Sequence, residues 1–500
     1  MLYESTRGQA PPVKAAQTIL QGLAPDGGLY VPEFFPRLRL SSIEELSRRS
    51  YPEQAVRLIS LFLTDFSPAE VSSAVLAAYN LLKFDTEEIV PLKVLAPDTA
   101  VLELWHGPTH AFKDLALTLL PHLMTRAAQK LGLEKEIVIL VATSGDTGKA
   151  ALESFRDVPQ TKIIVFFPSE GVSEIQKRQM ITQEGENTFV VAVEGNFDDA
   201  QSGVKQLFGD PELRRKMESA GMTFSSANSI NWGRLLPQIV YYFSAYARLL
   251  RDKLIRHGEE INFVVPTGNF GNILAGFLAR EMGLPVKRLI LAANANNVLT
   301  DFINTGVYDR RRPFHRTISP SMDILISSNL ERLLYLATDR NAEKVRQWMT
   351  SLARTGVYQV DQATHERIKQ VFWSSWASDD ETLAAIRDAY TRYGYLLDPH
   401  TGVAWHVFNR YREETGDSTR TVILSTASPF KFARDVIRAL APERLAGKEE
   451  FSLLNLLAEL TGWPIPRGLQ GLESKPIRHT RKVTREKMRD VVEEILGLTP

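Results

Sequence analysis

From Glu136 onward the chain repeats one unit: a short β-branched run, a turn of small residues, then a helical stretch. The runs are Ile137 to Val141, Thr161 to Phe167 and Thr188 to Val193, with helical segments starting near Thr147, Ser173 and Asp198 between them. A strand reaches a parallel neighbour only through a crossover of about a dozen or more residues, usually a helix laid on the sheet's face. The repeat therefore predicts an α/β fold with open, mainly parallel sheets flanked by helices. Ligands of such sheets sit beyond the carboxyl ends of the strands, which makes the loops there the candidate functional positions.

Length sets how many such units have room. Five hundred residues allow roughly three domains at ~150 residues each. Residues 1–98 read as a mostly helical opening module, 99–225 as a small α/β domain, 226–450 as a larger one with a helical insertion near 330–395, and 451–500 as a helical tail. In the opening module, Ser67-Pro68-Ala69-Glu70 offers an N-cap, a proline at the first helical position and a capping-box glutamate. A helix is expected to run from there toward Leu82.

Lysine plus arginine equals aspartate plus glutamate at 59 each. No global field favours nucleic acid or an anionic membrane, so neither is expected as a partner, and any affinity for anions must be local. Cysteine is absent, which removes disulfides, thiolate nucleophiles and cysteine-rich zinc sites together. The nine histidines show no paired metal-ligand spacing, and no metal is expected. No apolar run approaches the ~20 residues of a membrane span, and Met1-Leu2-Tyr3-Glu4-Ser5 lacks the anatomy of a signal peptide. A cytoplasmic protein is the expectation.

Lys113 stands in the run His106-Gly107-Pro108-Thr109-His110-Ala111-Phe112-Lys113-Asp114, just before an apolar segment, Leu115 to Leu120, that reads as a buried helix. An ammonium there loses hydration, which lowers its proton affinity and leaves a neutral amine able to attack carbonyls, as a Schiff-base lysine must. A lysine whose stem covers apolar surface while its head reaches water fits the same spacing.

Three loops and one strand end gather groups suited to a ligand. Thr143-Ser144-Gly145-Asp146-Thr147-Gly148-Lys149 follows a strand and opens a helix. It fails as a nucleotide phosphate loop, because Thr143 stands at the first glycine position and Ala150 at the closing Ser or Thr. Its hydroxyls and free N-H groups suit a carboxylate or simply cap the helix. Pro266-Thr267-Gly268-Asn269-Phe270-Gly271-Asn272 lies between the strand Ile261 to Val265 and a helix beginning at Ile273. Its glycines lack the dinucleotide spacing, and the helix start adds unpaired donors and about half a positive charge. It is either a phosphate cup or a plain glycine turn. Ala227-Asn228-Ser229-Ile230-Asn231-Trp232-Gly233-Arg234 brings two amides, a hydroxyl and a guanidinium together; they converge on one anion or decorate a capped surface helix. Val422-Ile423-Leu424-Ser425-Thr426-Ala427-Ser428-Pro429 is a strand that ends in hydroxyls.

These motifs together resemble the threonine synthases, along most of the chain. The run around Lys113 is similar to the family's His-Gly-Pro-Thr-x-Ala-Phe-Lys-Asp segment, whose lysine carries pyridoxal 5'-phosphate. Ser5-Thr6-Arg7-Gly8 and Leu23 to Tyr30 look like the family's opening signatures. Asn294-Ala295-Asn296-Asn297, Ser319 to Ile324 and Leu397 to Gly402 match further stretches; in the last of these His400 reads as a structural histidine in a turn or as an acid-base group. The resemblance implies a fold-type II (tryptophan synthase beta-like) enzyme of two sheet domains. It implies that Lys113 is the catalytic, cofactor-bearing lysine and that Gly268, Asn269, Phe270, Gly271 and Asn272 hold the cofactor phosphate. By the same token Thr426 faces the pyridine nitrogen, Thr143, Ser144 and Thr147 hold the substrate carboxylate, and Asn228, Ser229 and Arg234 grip the substrate phosphate. Asp146 departs from the pattern: many relatives set an asparagine there against the cofactor's ring oxygen, and a carboxylate repels that oxygen unless a proton lies between. Ser428 departs too, where many relatives have histidine.

The activity implied is a lyase step of threonine biosynthesis, converting O-phospho-L-homoserine and water to L-threonine and phosphate by β,γ-elimination and hydration. A sister lyase such as a threonine dehydratase or an amino-alcohol phospholyase would keep Lys113 and the glycine turn. A non-catalytic relative would keep only the anion sites.

Overall fold

The computed structural model describes residues 1–143, 145–170, 172–195 and 197–498. Its strands are, in chain order, Tyr3–Ser5 (β1), Tyr30–Pro32 (β2), Leu92–Ala96 (β3), Thr99–Glu103 (β4), Glu136–Ala142 (β5), Thr161–Pro168 (β6), Thr188–Val193 (β7), Met222–Ser225 (β8), Ile261–Pro266 (β9), Val286–Ala293 (β10), Val307–Asp309 (β11), Val357–Gln359 (β12), Phe372–Trp376 (β13), Thr421–Ser425 (β14) and Arg481–Val483 (β15). One sheet has the order β13-β10-β9-β14-β4-β3 and is parallel except at its β3 edge. A second, all parallel, has the order β15-β7-β6-β5-β8. The pairs β1-β2 and β11-β12 stand apart as antiparallel ribbons. The α/β class with mainly parallel sheets expected from the alternation is what the chain forms.

Local sequence explains the elements. In β5 every residue from Ile137 to Val141 is buried, because helices cover both faces and no position is left for a polar alternation. Ser67 caps the helix Pro68–Ala78 with the reciprocal capping box read from Glu70. That helix stops four residues short of Leu82, with Tyr79 leaving helical geometry. The helix Trp232–Arg251 is buried along most of its length and packs on helices Tyr51–Ser60, Asp114–Leu117 and Gly271–Glu281. It ties the opening module to both candidate loops.

Three expectations need correction. The division at residue 99 assigns β4 and the Lys113 loop to the small domain, yet β4 hydrogen-bonds to β14 in the six-stranded sheet. The stretch 330–395 is not a purely helical insertion: between its helices it supplies β12 and also β13, which pairs with β10 as an edge of the same sheet. The tail 451–500 is not only helical either, since β15 extends the five-stranded sheet beside β7. Among the described residues no helix is long and apolar enough to cross a membrane.

Candidate functional site

A cavity of about 1200 Å³ is lined from both sheets, by the ends of β5, β8, β9 and β14 and by Lys113. The Lys113 loop is held rigid from within. Asp114 is fully buried and accepts from Thr109 N at 2.8 Å and Thr109 Oγ1 at 2.6 Å. Gly107 is required where it stands, because a Cβ there would lie 2.4 Å from Asp114 Cβ. His110 adopts a left-handed φ of 58°, a conformation that costs a non-glycine residue about 1–2 kcal/mol. Its Nε2 accepts from Gly468 N at 3.0 Å, so the C-terminal tail secures the loop from outside. Lys113 itself begins the short helix Asp114–Leu117. Burial pushes its ammonium down to about 8, against the opposing pull of Asp146. The side chain is part-buried and lines the cavity, where reduced contact with water disfavours the ammonium.

After β5, Thr143 is buried and its Oγ1 accepts from Gly145 N at 3.0 Å and Gly148 N at 2.8 Å. The hydroxyl thus caps the helix Asp146–Phe155 and still has its own hydrogen to donate. Thr147 lines the cavity. Ser144 lies outside the described residues. Asp146 is buried, accepts from Gln176 Nε2 at 3.0 Å and from Ser321 Oγ at 3.1 Å, and pairs with Lys431. Burial alone would raise its proton affinity; the charges of Lys431 and Lys113 hold it well below the usual carboxylate range.

After β9 the turn Gly268 to Asn272 opens the helix Gly271–Glu281. Phe270 takes a left-handed φ of 62° there. A Cβ on Gly268 would meet Ser321 O at 3.0 Å and Met322 Cα at 3.1 Å, so that glycine lets the 319–323 segment close over the turn. Asn272 is oriented by Tyr241 and Tyr242, whose hydroxyls donate to its Oδ1 at 2.6 and 2.9 Å. Its Nδ2 is buried without a partner. Asn329 joins this turn to the next segment, since its Nδ2 donates to Asn269 O at 3.1 Å and to Ser229 Oγ at 3.2 Å. Arg332 in turn fixes Asn329 Oδ1 at 2.6 Å and reaches Ile230 O and Tyr30 O.

Arg234 is buried in the first turn of its helix and donates through Nη1 to Ala227 O, while its Nε has no partner. Asn228, Ser229 and Arg234 all line the cavity, as do the turn residues Gly268 to Asn272 and Thr426. Ser425 does not: its Oγ accepts from Trp105 Nε1 at 3.0 Å. That contact leaves Thr426 as the hydroxyl presented to the cavity.

Sequence reasoning missed Lys431, Ser321, Asn329 and Arg332. Lys431 carried the one available signal, a lone cation in the apolar run Phe430-Lys431-Phe432-Ala433. His400 is buried in the first turn of the helix Pro399–Thr415; its Nδ1 faces Asp398 at 2.8 Å and its Nε2 accepts from Ser321 N at 3.1 Å. Nε2 thus holds the loop over the glycine turn while Nδ1 rests on the N-cap of its own helix, and His400 also lines the cavity.

Three family models match the chain: "Threonine synthase N terminus" over residues 2–79, "Pyridoxal-phosphate dependent enzyme" over 95–365 and "Threonine synthase, C-terminal" over 401–494. Threonine synthase of Pseudomonas aeruginosa is 41% identical over 440 residues, covering 88% of this chain and 90% of that one. Threonine synthase-like 1 of Homo sapiens is 40% identical over 459 residues, 90% of this chain; the chain spans 61% of that relative's length. The crystal structure of pyridoxal-phosphate-bound threonine synthase from Brucella melitensis superposes with a TM-score of 0.87 at 36% identity, covering 100% of this chain and 99% of that one.

Proposed function

Because the chain belongs to the threonine synthase family of pyridoxal-phosphate-dependent enzymes, we propose that it converts O-phospho-L-homoserine and water to L-threonine and phosphate, with pyridoxal 5'-phosphate on Lys113. The observation that carries this reading is one part-buried lysine lining the same cavity as two sets of anion-binding donors, Asn228, Ser229 and Arg234 on one segment and Gly268 to Asn272 on another. The residues present fit a phosphorylated cofactor and a phosphorylated substrate. Asn272 Nδ2 beside the glycine turn and Arg234 Nε are both buried without partners. Each orphaned donor costs about 1–3 kcal/mol, a cost that a bound phosphate oxygen removes.

When bound, the cofactor supplies an aldehyde for the lysine amine and a ring that stores electrons withdrawn from the substrate. The Lys113 amine, freed once the substrate amine has taken its place, removes the proton at Cα and then one at Cβ as phosphate leaves Cγ. It returns one proton at Cγ, water then adds its oxygen at Cβ, a proton goes back to Cα, and the remaining proton departs with the phosphate. Asn228, Ser229 and Arg234 hold the substrate phosphate, while Thr143, Ser144 and Thr147 hold the carboxylate. Fixing both ends of the substrate keeps successive carbons within reach of one lysine. Thr426, which lines the cavity, would offer a neutral hydroxyl to the cofactor's pyridine nitrogen. A cytoplasmic location belongs to the same proposal, and cell fractionation checks it.

Turnover of O-phospho-L-homoserine is compared with threonine and phosphoethanolamine on the purified protein. The expected result is a rate on phosphohomoserine that exceeds both others and vanishes in Lys113→Ala. Faster turnover of threonine or phosphoethanolamine would assign a sister lyase instead. Turnover surviving Lys113→Ala would defeat the mechanism.

A further inference from the structure

Asp146 and Lys431 form a buried ion pair behind the cavity lining, next to Thr147 and Ser321, that the roles above leave unused. Lys431 Nζ is fully buried, contacts Asp146 Oδ1 and donates to Thr109 O at 2.9 Å. Burying two charges costs several kcal/mol per ion, and apolar residues of the same size often serve stability as well. The pair's position is therefore more informative than its strength. The segment bearing Lys431 is stitched to the one bearing Lys113: Phe112 N donates to Thr426 O at 2.8 Å, Ser428 N donates to His110 O at 3.0 Å, and Ala111 and Ala427 form a β-bridge.

The charged groups around these atoms are few. Lys113 feels Asp146, Arg234, Lys431 and Asp114. Asp146 feels Lys431, Lys113 and His400, and His400 keeps its Nε2 as an acceptor toward Ser321 N. Gln176 and Ser321 donate to the Asp146 carboxylate, so no partner of Asp146 calls for a protonated acid.

We propose that Lys431 is a positioning residue that keeps Asp146 a carboxylate, and that the charge of this pair, lying behind the cavity that Lys113 lines, governs when the Lys113 nitrogen holds its proton. The resemblance raised a different role, a protonated Asp146 bonded to the cofactor's ring oxygen. With Lys431 in place, Asp146 has no proton to give. The proposal rests on Lys113 being the cofactor lysine.

The charge arithmetic makes two variants move in opposite directions. Asp146→Asn leaves Lys431 as a bare cation near the Lys113 nitrogen and makes that nitrogen shed its proton at lower pH. Lys431→Met gives the whole Asp146 charge to the Lys113 nitrogen and delays proton loss to higher pH. A neighbouring charge moves such a midpoint by about 1–3 pH units. The double variant removes both charges and returns toward the wild type.

The measurement is the pH midpoint of the visible absorbance of each holoenzyme, with borohydride reduction and peptide mapping to locate the cofactor-bearing residue. Midpoints displaced in opposite directions, with the double variant between them, support the proposal. Shifts of the same sign, or none, with the adduct still on Lys113, overturn it and leave the cofactor assignment standing. An adduct elsewhere overturns both. If Lys431→Met does not fold, Asp146→Asn against the double variant decides: the single variant must have the lower midpoint. A merely structural pair would change melting temperature without this pattern.

Discussion

His106 is held between two carboxylates, with Nδ1 2.6 Å from Asp85 Oδ1 and Nε2 2.8 Å from Glu103 Oε2. Glu103 is itself buried and accepts from Tyr395 at 2.8 Å, and the Trp105 ring stacks on His106 at 4.3 Å. Burial works against a charged imidazole here, but the hydrogen bonds and charges of Asp85 and Glu103 prevail and raise it from 6.5 to about 9. At about 1.4 kcal/mol per pH unit, that rise is worth about 3 kcal/mol; Asp85 is 38% exposed, and solvent screening brings the figure nearer 2 kcal/mol. Because the folded protein holds the proton more tightly than the unfolded chain, this stability is present in full below pH 6.5 and is lost as pH rises through about 9. His106→Gln is uncharged at every pH and lacks the contribution throughout. With about 2.1 cal/mol/K of unfolding entropy per residue over 500 residues, the variant should melt about 2 °C below the wild type at pH 6. The gap should shrink steadily from about pH 6.5 and be closed a little above pH 9. Melting curves of both proteins across that range test it, and a gap that stays constant or widens with pH would refute the charged-histidine account.

Three further outcomes are expected. In cofactor-free protein, acylation of Lys113 should rise with pH through about 8, far below the 10.5 of an ordinary lysine, because burial disfavours the ammonium; labelling followed by peptide mapping reads this directly. Arg234→Ala should lower kcat/KM for O-phospho-L-homoserine by about 10- to 100-fold per charged hydrogen bond lost, with visible cofactor absorbance nearly intact; equal loss of both would move Arg234 to the cofactor phosphate. Gly268→Ala should weaken cofactor retention and cost about 1–3 kcal/mol of stability, since its Cβ would press on the Ser321 and Met322 backbone; unchanged cofactor affinity would show that the segment over the turn yields freely.

What the sequence made legible, and what it hid, divides along the range of the interactions involved. Strand-loop-helix alternation is written in neighbouring residues, so β5, β6 and β7 stand where their β-branched runs stand. Capping is equally local: Ser67 and Glu70 close the box that their spacing announces. The loops at the carboxyl ends of β5, β9 and β14 were legible for the same reason, and the fold brings them to one cavity. Sheet membership is different, because it depends on which distant strand supplies the hydrogen bonds. Nothing in Phe372-Trp373-Ser374-Ser375-Trp376 distinguishes a five-residue edge strand from a helical insertion, and nothing in Arg481 to Val483 announces a partner in β7. β4 was likewise assigned to the wrong sheet by its neighbours in the chain. The same limit hid Lys431. A carboxylate at position 146 looked out of place beside a phenolate because the cation that balances it lies on a different strand end of the other sheet. Local chemistry could raise the question of how that charge is tolerated, but only the pairing of β14 with β4 brings the answering lysine within reach.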